Sequence, residues 1–593
     1  MQAIAGTQIK RQSSEKFSRA SCVRWNIKPL HSHIQTLARE LKVAPIVAQV
    51  LINRGITDAR CGCSFLQPKL NELIAPELMP GSCDAAARIA KAIAARQKIT
   101  VYGDYDADGI TGVSIIWHLI KILGGDVDFY IPHRIDEGYG LNDQAVKSIA
   151  KAGTNLLITV DCGITAVDSV ALAKSLGMDV IITDHHCPAE QLPKDCIIVH
   201  PVINPAYPNQ DSSGSMVAFK LAWALANKFS GGQRLNSELR KFMLDATSLA
   251  AVGTIADIMD LRGENRILTS FGLTGLAESK LCGIMALIES AGLSGKGLDS
   301  FDIGFRLAPV LNAAGRMGHA RLAVELLTSQ SASHCTRIAE YLKQQNELRR
   351  RHERKIFKHA CEMIHQKGLH HPDNKTIVLS CSEWHIGVIG IVASRIVDKF
   401  ARPTIVINNS EVLAQGSGRS VEGFCLLDAI KSCSNHLHHF GGHAMAAGIT
   451  IKTENIEAFA KDFESYTREN LKDHHFSSAI EIEAETNLEQ FNHDSVKQLQ
   501  MLGPFGQGNP RPIFATKGLR LISPPRRVGA KNDHLQIAVT DNTASLRCIG
   551  FGMGKYEKKL LECDCFSLAY EPDINHFNGN SSVQLVLNDI QFE

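Results

Sequence analysis

The chain has 593 residues, of which 44% are hydrophobic and 21% are charged. This composition is typical of a globular protein and excludes a fibrous or intrinsically disordered chain. The length exceeds what one hydrophobic core supports, which predicts several domains. The formal net charge is only +2, so a polyanionic partner would have to bind at a local patch.

Two further features concern the cellular compartment. The sequence has no run of apolar residues long enough to predict a membrane span, and its basic N-terminal residues are not followed by the apolar segment of a secretory signal. Its 16 cysteines show no repeated C-x-x-C spacing, which predicts reduced thiols rather than a zinc site or a disulfide framework. We therefore expect a cytoplasmic protein without a membrane partner.

The predicted fold class is α/β, with two α/β lobes joined by a long helix and followed by a small C-terminal β-barrel. Apolar runs alternate with helical patterns in both lobes, whereas the barrel region has short β-rich runs separated by Gly, Pro and Asn. The predicted regions are an N-terminal extension and small N-terminal region at 1–80, a first lobe at 81–330, a connecting helix at 331–365, a second lobe at 366–470 and the barrel at 471–593.

Acidic and histidine side chains follow directly on three predicted strands of the first lobe, and one more acid ends an apolar stretch near residue 257. In open α/β sheets, ligands bind at the carboxyl ends of the strands, so we expect these side chains to meet. They are Asp104, Asp106, Asp161, Asp257 and the histidine pair His185 and His186. The D-x-D-x-D-G run is also how an EF-hand calcium loop begins, but the bidentate Glu of such a loop is missing.

Carboxylates crowded in this way would destabilise the fold unless cations were bound among them. Carboxylates combined with imidazole suit manganese or magnesium. Two such ions about 3.5 to 4 Å apart are the usual device for phosphodiester hydrolysis. The sequence therefore predicts two divalent metal ions, manganese or magnesium.

Four motifs in this order, DYDADG, VDCGIT, TDHH and GTIAD, resemble the signature motifs of the DHH phosphoesterases. Over about residues 45 to 593 the chain is similar to the RecJ-type exonucleases of that superfamily. The motifs HRIDEGYGL, RLAPVLNAAGRMG, EWHIGVIGIVASRI, GSGRS and GGHAMAAG carry the wider likeness. The resemblance implies that the lobes are a DHH domain and a DHH-associated domain, and that the barrel is an OB-like nucleic-acid-binding domain.

The resemblance also assigns roles to the crowded side chains. It implies that one metal ion is held by Asp106, Asp161, His185 and Asp257. It implies that Asp104 and a bridging Asp161 hold the other ion and that His186 lies beside the scissile phosphate, so His186 and Asp161 are the expected catalytic residues. Some family members have a metal-binding histidine where this chain has Tyr102, so the second ion is expected to bind more weakly or only with substrate.

Several basic side chains are candidates for binding nucleic acid. In loops rich in glycine, a guanidinium can bind phosphate through two hydrogen bonds and the backbone can approach the ligand closely. The predicted phosphate ligands are Ser417, Arg419 and Arg316, and the resemblance adds Arg134 and His443. The basic run that begins at Arg349 is instead typical of a solvated helix face.

The function implied by the resemblance is a metal-dependent exonuclease that hydrolyses single-stranded DNA from 5′ to 3′ and releases mononucleotides in DNA repair and recombination. Single-stranded DNA is the expected partner of a monomer, and the resemblance adds a single-strand-binding protein and a helicase. One alternative is a DHH phosphodiesterase acting on short oligonucleotides or cyclic dinucleotides, which the additional N-terminal and barrel regions argue against. The other is a non-catalytic single-strand-binding scaffold, which the presence of the expected metal ligands argues against.

Overall fold

The computed structural model describes residues 24–134, 137–138, 140–471, 479–577 and 579–592. Residues 1–23 of the predicted N-terminal extension lie outside the described residues, as do Ile135, Asp136 and Tyr139 of the HRIDEGYGL motif. Within the described residues, no single helix is both long and apolar enough to cross a membrane, although one bent pair, Gly263–Glu278 with Cys282–Ser290, passes by length and composition.

The first lobe is built on a five-stranded parallel sheet of order β3-β2-β4-β5-β6. Its strands are β2 (Ile99–Gly103), β3 (Val127–Tyr130), β4 (Leu156–Val160), β5 (Asp179–Thr183) and β6 (Ile197–Val199). Strands β2 and β4 are buried along their whole length, as expected of a parallel sheet covered on both faces. The strand order reverses between β2 and β4, and ligands bind at such a switch point.

Helices cover both faces of this sheet and extend the lobe. Those before and between the strands are α4 (Ser82–Ala94), α5 (Ala107–Ile122), α6 (Asp143–Lys151) and α7 (Val167–Ser175). Those after the strands are α8 (Gly214–Phe229), α9 (Ser237–Ala256), α10 (Gly263–Glu278), α11 (Cys282–Ser290), α12 (Ser300–Asp302), α13 (Ala308–Arg316) and α14 (Ala320–Thr328). The main core of the lobe lies between β2, β4 and helices α4, α5, α8 and α9.

The second lobe follows the long connecting helix α15 (Ala332–Gln366) and contains a sheet of order β10-β11-β9-β8-β7. Its strands are β7 (Ile377–Ser380), β8 (Thr404–Asn408), β9 (Leu413–Arg419), β10 (Leu437–Gly442) and β11 (Ala446–Lys452). Helix α16 (Ile386–Phe400) and the end of α15 pack on one face, and α17 (Leu426–Ser432) and α18 (Ile456–Asn470) pack on the other. The predicted connecting helix and second α/β lobe are therefore present.

The C-terminal region forms a sheet of order β13-β14-β18-β19-β17-β16-β15, in which a further pairing of β14 with β16 closes five strands into a barrel. Its strands are β13 (Ala484–Glu485), β14 (Phe514–Leu521), β15 (Arg526–Val528), β16 (His534–Thr540), β17 (Ser545–Gly550), β18 (Phe566–Phe577) and β19 (Asn580–Phe592). Helices α19 (His493–Gln500) and α20 (Glu557–Glu562) complete it. The predicted fold class is confirmed, because a five-stranded barrel is the architecture of an OB fold.

The N-terminal region packs on the barrel. Strand β1 (Arg24–Ile27) pairs in parallel with β12 (Ala479–Ile482), and helices α1 (Ile34–Leu41), α2 (Pro45–Asn53) and α3 (Ala59–Leu66) follow it. Apolar side chains of these helices share one core with the barrel. The described N-terminal region and the barrel therefore form one structural unit.

Arg266 of α10 connects this unit to the first lobe. Its guanidinium donates hydrogen bonds to the carbonyl oxygens of Phe65 (3.0 Å), Leu502 (2.8 Å) and Met501 (3.3 Å). It also stacks 3.8 Å from the centre of the Phe65 ring, and the residue is only 3% exposed. One buried side chain thus holds two separate segments, at Phe65 and at Met501–Leu502, against the first lobe.

We predict that Arg266→Ala weakens the junction between the first lobe and the terminal unit. It removes one donor from each of three carbonyl oxygens, of which Leu502 O keeps a second donor, Asn509 Nδ2 at 2.9 Å, and we expect this loss to cost about 3 kcal/mol. Calorimetry should show the first thermal transition at a lower temperature, with hydrogen exchange rising around Met501 and Leu502. The exposed Arg240 provides the control, and an equal shift in Arg240→Ala would contradict this account.

Candidate metal centre and phosphate site

The crowded carboxylates lie at the carboxyl ends of β2, β4 and β5. Asp104 follows β2 directly, Asp161 follows β4 and Asp184 follows β5. Asp106 caps α5, because its Oδ1 accepts hydrogen bonds from the backbone N–H groups of Asp108 and Gly109 at 2.9 and 3.1 Å. The sheet topology therefore brings together side chains that are far apart in sequence.

Asp161 has an unusual backbone conformation, with φ at 63°. A non-glycine residue in this left-handed region costs on the order of 1 kcal/mol or more. Asp161 N–H nevertheless donates to Thr183 O at 2.9 Å, and a Cβ on Gly214 would lie only 2.5 Å from Asp161 Oδ1. The fold thus holds this carboxylate in one place, with the N-terminus of α8 closely packed against it.

Among the described residues there are three sets of potential metal ligands, and within each set the ligand atoms lie within 4.8 Å of one another. The sets are Asp104 with Asp106 and Asp161, Asp161 with His185 and His186, and Asp108 with His185 and Asp257. Asp161 is common to two sets, and His185 is also common to two. His185 Nε2 lies 3.1 Å from Asp161 Oδ1 and 3.5 Å from Asp257 Oδ2. Asp161 and His185 therefore join the three sets into one continuous group of potential metal ligands.

The grouping differs in one respect from the ligand sets that the sequence resemblance implies. Asp106 lies with Asp104 and Asp161, whereas the resemblance places it with His185 and Asp257. The carboxylate beside those two residues is Asp108, which accepts hydrogen bonds from Gly214 N–H (2.6 Å) and Ser215 N–H (3.0 Å). Asp108 thereby ties the N-terminus of α8 to the centre, a contact that the motif alone does not reveal.

The electrostatics of the centre favour a bound cation. Burial, followed by the charges of neighbouring carboxylates, raises the pKa of Asp104 and of Asp161 well above the usual range. Burial and the charges of Asp108 and Asp106 raise the pKa of Asp257 to about 8. Among the described residues, the buried Asp104 Oδ1 accepts no hydrogen bond. Hard oxygen ligands of this kind, completed by imidazole, fit manganese or magnesium.

His185 and His186 have different environments. Burial lowers the pKa of His185, which keeps the imidazole neutral, as a metal ligand must be. Burial alone would also lower the pKa of His186, but its hydrogen bond to Asp184 (2.7 Å) and the charge of that carboxylate raise the pKa to about 9. Asp184 is fixed by further hydrogen bonds, including one from Ile164 N–H at 2.9 Å. The pair therefore offers a metal ligand next to a proton donor.

Tyr102 is part of the core. It is fully buried, its ring stacks on Tyr130 with centroids 5.5 Å apart, and its hydroxyl donates to Gly140 O at 2.8 Å. Burial raises the pKa of its hydroxyl far above the usual range. Tyr102 is therefore a packing residue. It does not take the place of the metal-binding histidine that some family members have at this position.

Four arginines form a cationic cluster next to the metal centre, and we call them the arginine cluster. Arg316 ends α13, and burial together with the charges of Arg134, Arg349 and Arg419 lowers its pKa to about 9. The four come from the first lobe, the connecting helix and the second lobe. Like charges converge in this way where an anion binds. The sequence alone does not identify Arg349 as a site residue, because it belongs to one basic run with five other basic residues of the same helix.

Ser417 belongs to the same site. Its hydroxyl oxygen accepts a hydrogen bond from Arg419 Nη1 at 3.2 Å, and a Cβ on Gly390 would lie 2.9 Å from that oxygen. A side chain at position 390 would therefore displace the Ser417 hydroxyl, so the glycine leaves room for this hydroxyl between helix α16 and strand β9. His443 lies in the β10–β11 turn, and its side chain is exposed. Its backbone N–H donates a hydrogen bond to Ala446 O at 2.8 Å, and Ala446 is the residue that pairs with Arg419 in the sheet.

Three family models match the chain. They are the DHH family N-terminal domain at residues 98–252, the DHHA1 domain at 373–469 and the RecJ OB domain at 482–589. Together they cover most of the two lobes and the barrel.

Individual relatives match over nearly the whole chain. The single-stranded-DNA-specific exonuclease RecJ of Bacillus subtilis is 38% identical over 96% of this chain and 71% of its own length. That of Haemophilus influenzae is 34% identical over 89% of this chain and 93% of its own. The crystal structure of Thermus thermophilus RecJ in complex with Mn²⁺ superposes with a TM-score of 0.80 at 29% identity, covering 96% of this chain and 79% of that one. The chain therefore belongs to the RecJ family of DHH-domain proteins.

Proposed function

We propose that this protein is a metal-dependent exonuclease that hydrolyses single-stranded DNA from 5′ to 3′ and releases mononucleotides, in DNA repair and recombination. The observation that carries the proposal is the position of Asp161, which is common to two sets of metal ligands. Relatives named as single-stranded-DNA-specific exonucleases support the substrate. The RecJ OB domain supports DNA binding outside the centre.

Two divalent ions, manganese or magnesium, would supply an activated water and stabilise the attacking and leaving oxygens when bound. We assign Asp104, Asp106 and Asp161 to one ion. We assign Asp161, His185 and Asp257 to the other, with Asp108 positioning α8 beside them. Asp161, fixed by its backbone conformation, would orient both ligand sets.

His186 is the proposed proton donor. Asp184 holds it through a 2.7 Å hydrogen bond, so its imidazole is protonated at neutral pH. A cationic imidazole beside a phosphodiester stabilises the negative charge that develops on phosphate and can transfer a proton to the leaving oxygen. Asp184 acts through His186 and is therefore a positioning residue.

The arginine cluster and Ser417 would bind the phosphate of the substrate strand. Guanidinium groups form paired hydrogen bonds with phosphate, and the cluster lies on both lobes and on the helix that joins them. His443 would contact the strand from the β10–β11 turn. We expect a single-strand-binding protein and a helicase to be partners of this enzyme, which we place in the cytoplasm as a monomer.

The two alternative functions make different predictions for simple substrates. A phosphodiesterase for short oligonucleotides or cyclic dinucleotides would cleave a dinucleotide faster than a long strand, and a scaffold would cleave neither. The barrel and the N-terminal region, which share one core, favour a longer strand.

We predict that a long 5′-labelled single strand is digested with Mn²⁺ or Mg²⁺, that duplex DNA resists, and that EDTA abolishes activity. Asp161→Asn should lower kcat by on the order of 10³-fold, equivalent to several kcal/mol of transition-state stabilisation, while DNA binding remains. Asparagine tolerates a positive φ, so the fold should survive. The exposed Asp126→Asn is the matched control. Full activity in EDTA or in Asp161→Asn would refute the metal mechanism.

We predict that Arg349→Met weakens binding of single-stranded DNA about ten-fold, because one charge-assisted hydrogen bond to phosphate is lost. Its partner Glu353 also pairs with Arg395 at 3.0 Å, so the substitution leaves no unpaired carboxylate. Fluorescence anisotropy on a labelled oligonucleotide measures the change. Arg354→Met, on the exposed side of the same helix, is the control, and equal losses in both variants would mean that Arg349 contributes only general charge.

A further inference from the structure

One buried amide joins two loops of the first lobe and belongs to none of the sets of metal ligands. Asn265, in the first turn of α10, is only 1% exposed. Its Nδ2 donates hydrogen bonds to Asp211 O at 2.7 Å and to Asp260 O at 3.0 Å. Its Oδ1 accepts one from Asn209 Nδ2 at 3.0 Å. The side chain therefore connects segments that lie about 50 residues apart in the chain.

The first of these loops follows directly on a metal ligand. Asp257 is the C-cap residue of α9, and we call residues 258–262 after it the ligand loop. Ile258 has φ at 59°, a rare conformation for a β-branched residue. Such a backbone persists only where its surroundings hold it in place. The position of Asp257 therefore depends on the contacts that hold the ligand loop.

The second loop leads into helix α8, whose N-terminus packs against the metal centre. Asp211 lies shortly before Gly214, and the Gly214 N–H is a donor to Asp108 at 2.6 Å. Ser213, the N-cap of α8, shares a hydrogen bond with Thr254 of α9 at 3.1 Å. A shift of this loop would therefore move the N-terminus of α8 relative to the carboxylates.

The segment between α19 and β14 of the barrel region also holds the ligand loop. Leu261 N–H donates to Gln507 O at 2.9 Å, and Arg262 Nε donates to Gly508 O at 2.6 Å. Gly508 has φ at 67°, and a Cβ there would lie 2.7 Å from Asp260 Cγ. Contacts from the first lobe and from the barrel region therefore fix the same loop.

Support of this kind affects how tightly a metal ion binds. Residues that orient metal ligands without touching the ion tune its affinity, and their loss typically weakens binding by about ten- to a hundred-fold. The Asp257 Oδ2 atom lies 3.5 Å from His185 Nε2, so a small displacement of the ligand loop would change the spacing of this ligand set. Asn265 is well placed to prevent that displacement, because it holds the ligand loop from within the lobe.

We propose that Asn265 is a positioning residue of the metal centre. It holds the ligand loop and the N-terminus of α8 in the places that keep Asp257 within reach of the ion that it shares with His185. The contacts of the ligand loop with Gly508 and Gln507 serve the same end, so the affinity for this ion also depends on how the barrel region is attached. The inference rests on the metal centre of the proposed function and adds residues that act through its ligands.

The first test measures Mn²⁺ binding to the full chain without DNA, by isothermal titration calorimetry. Asp257→Asn identifies the binding step that belongs to this ion, and Asn265→Ala should raise the Kd of that step about ten-fold. Asn408→Ala is the matched control, because the Asn408 amide also donates to two carbonyl oxygens, those of Ser382 and Trp384 in the second lobe. An unchanged Kd in Asn265→Ala, or an equal rise in the control, would overturn the inference.

A second variant avoids the buried core. Arg262 is exposed, so Arg262→Ala removes the contact with Gly508 O and leaves the interior of the lobe unchanged. It should raise the same Kd about two- to five-fold, the effect of one net hydrogen bond, whereas the exposed Arg240→Ala should not. If Asn265→Ala does not fold, a wild-type Kd in Arg262→Ala overturns the inference.

The dependence of activity on metal concentration gives an independent readout. At limiting Mn²⁺, Asn265→Ala should digest single-stranded DNA more slowly than the wild type, and saturating Mn²⁺ should restore kcat. The KM for DNA should not change, because Asn265 is buried. A kcat that stays low at saturating Mn²⁺ would indicate a merely structural role and would contradict the proposal. If the wild-type protein binds Mn²⁺ but digests no single strand, the proposed function fails, which is a different result from an active enzyme whose variants bind Mn²⁺ normally.

Discussion

The main physical constraint on this structure is the electrostatic repulsion among the carboxylates that lie together at the carboxyl ends of β2 and β4. Asp104 and Asp161 are buried there, and their raised pKa values express the cost of charging them without a counter-ion. A low-dielectric site cannot hold several uncompensated anions. Bound divalent ions would remove this cost. The burial of the carboxylates that form the centre therefore also makes the centre selective for cations.

Two clusters of opposite charge lie side by side in this molecule. The carboxylates form the candidate metal centre, and the arginine cluster carries the opposite charge beside it, yet the formal net charge of the whole chain is only +2. Because the arginines come from both lobes and the connecting helix, a bound phosphate would also hold the lobes together.

The sequence predicted the parts of the site that follow a strand. Asp104 and Asp161 come directly after apolar runs, and parallel strands bring such positions together. The sequence could not predict that Asp108 binds the N-terminus of α8, because Gly214 lies 106 residues away. Nor could it separate Arg349 from its basic neighbours, since only the packing of the connecting helix shows that Arg349 is buried. The sequence also could not predict that the described N-terminal helices share one core with the barrel, because that core is formed by residues far apart in the chain.

The most direct test of the metal centre is anomalous diffraction at the manganese edge from crystals soaked in Mn²⁺. The account predicts two peaks about 3.5 to 4 Å apart, both within coordination distance of Asp161. A single peak, or two peaks of which neither touches Asp161, would contradict it.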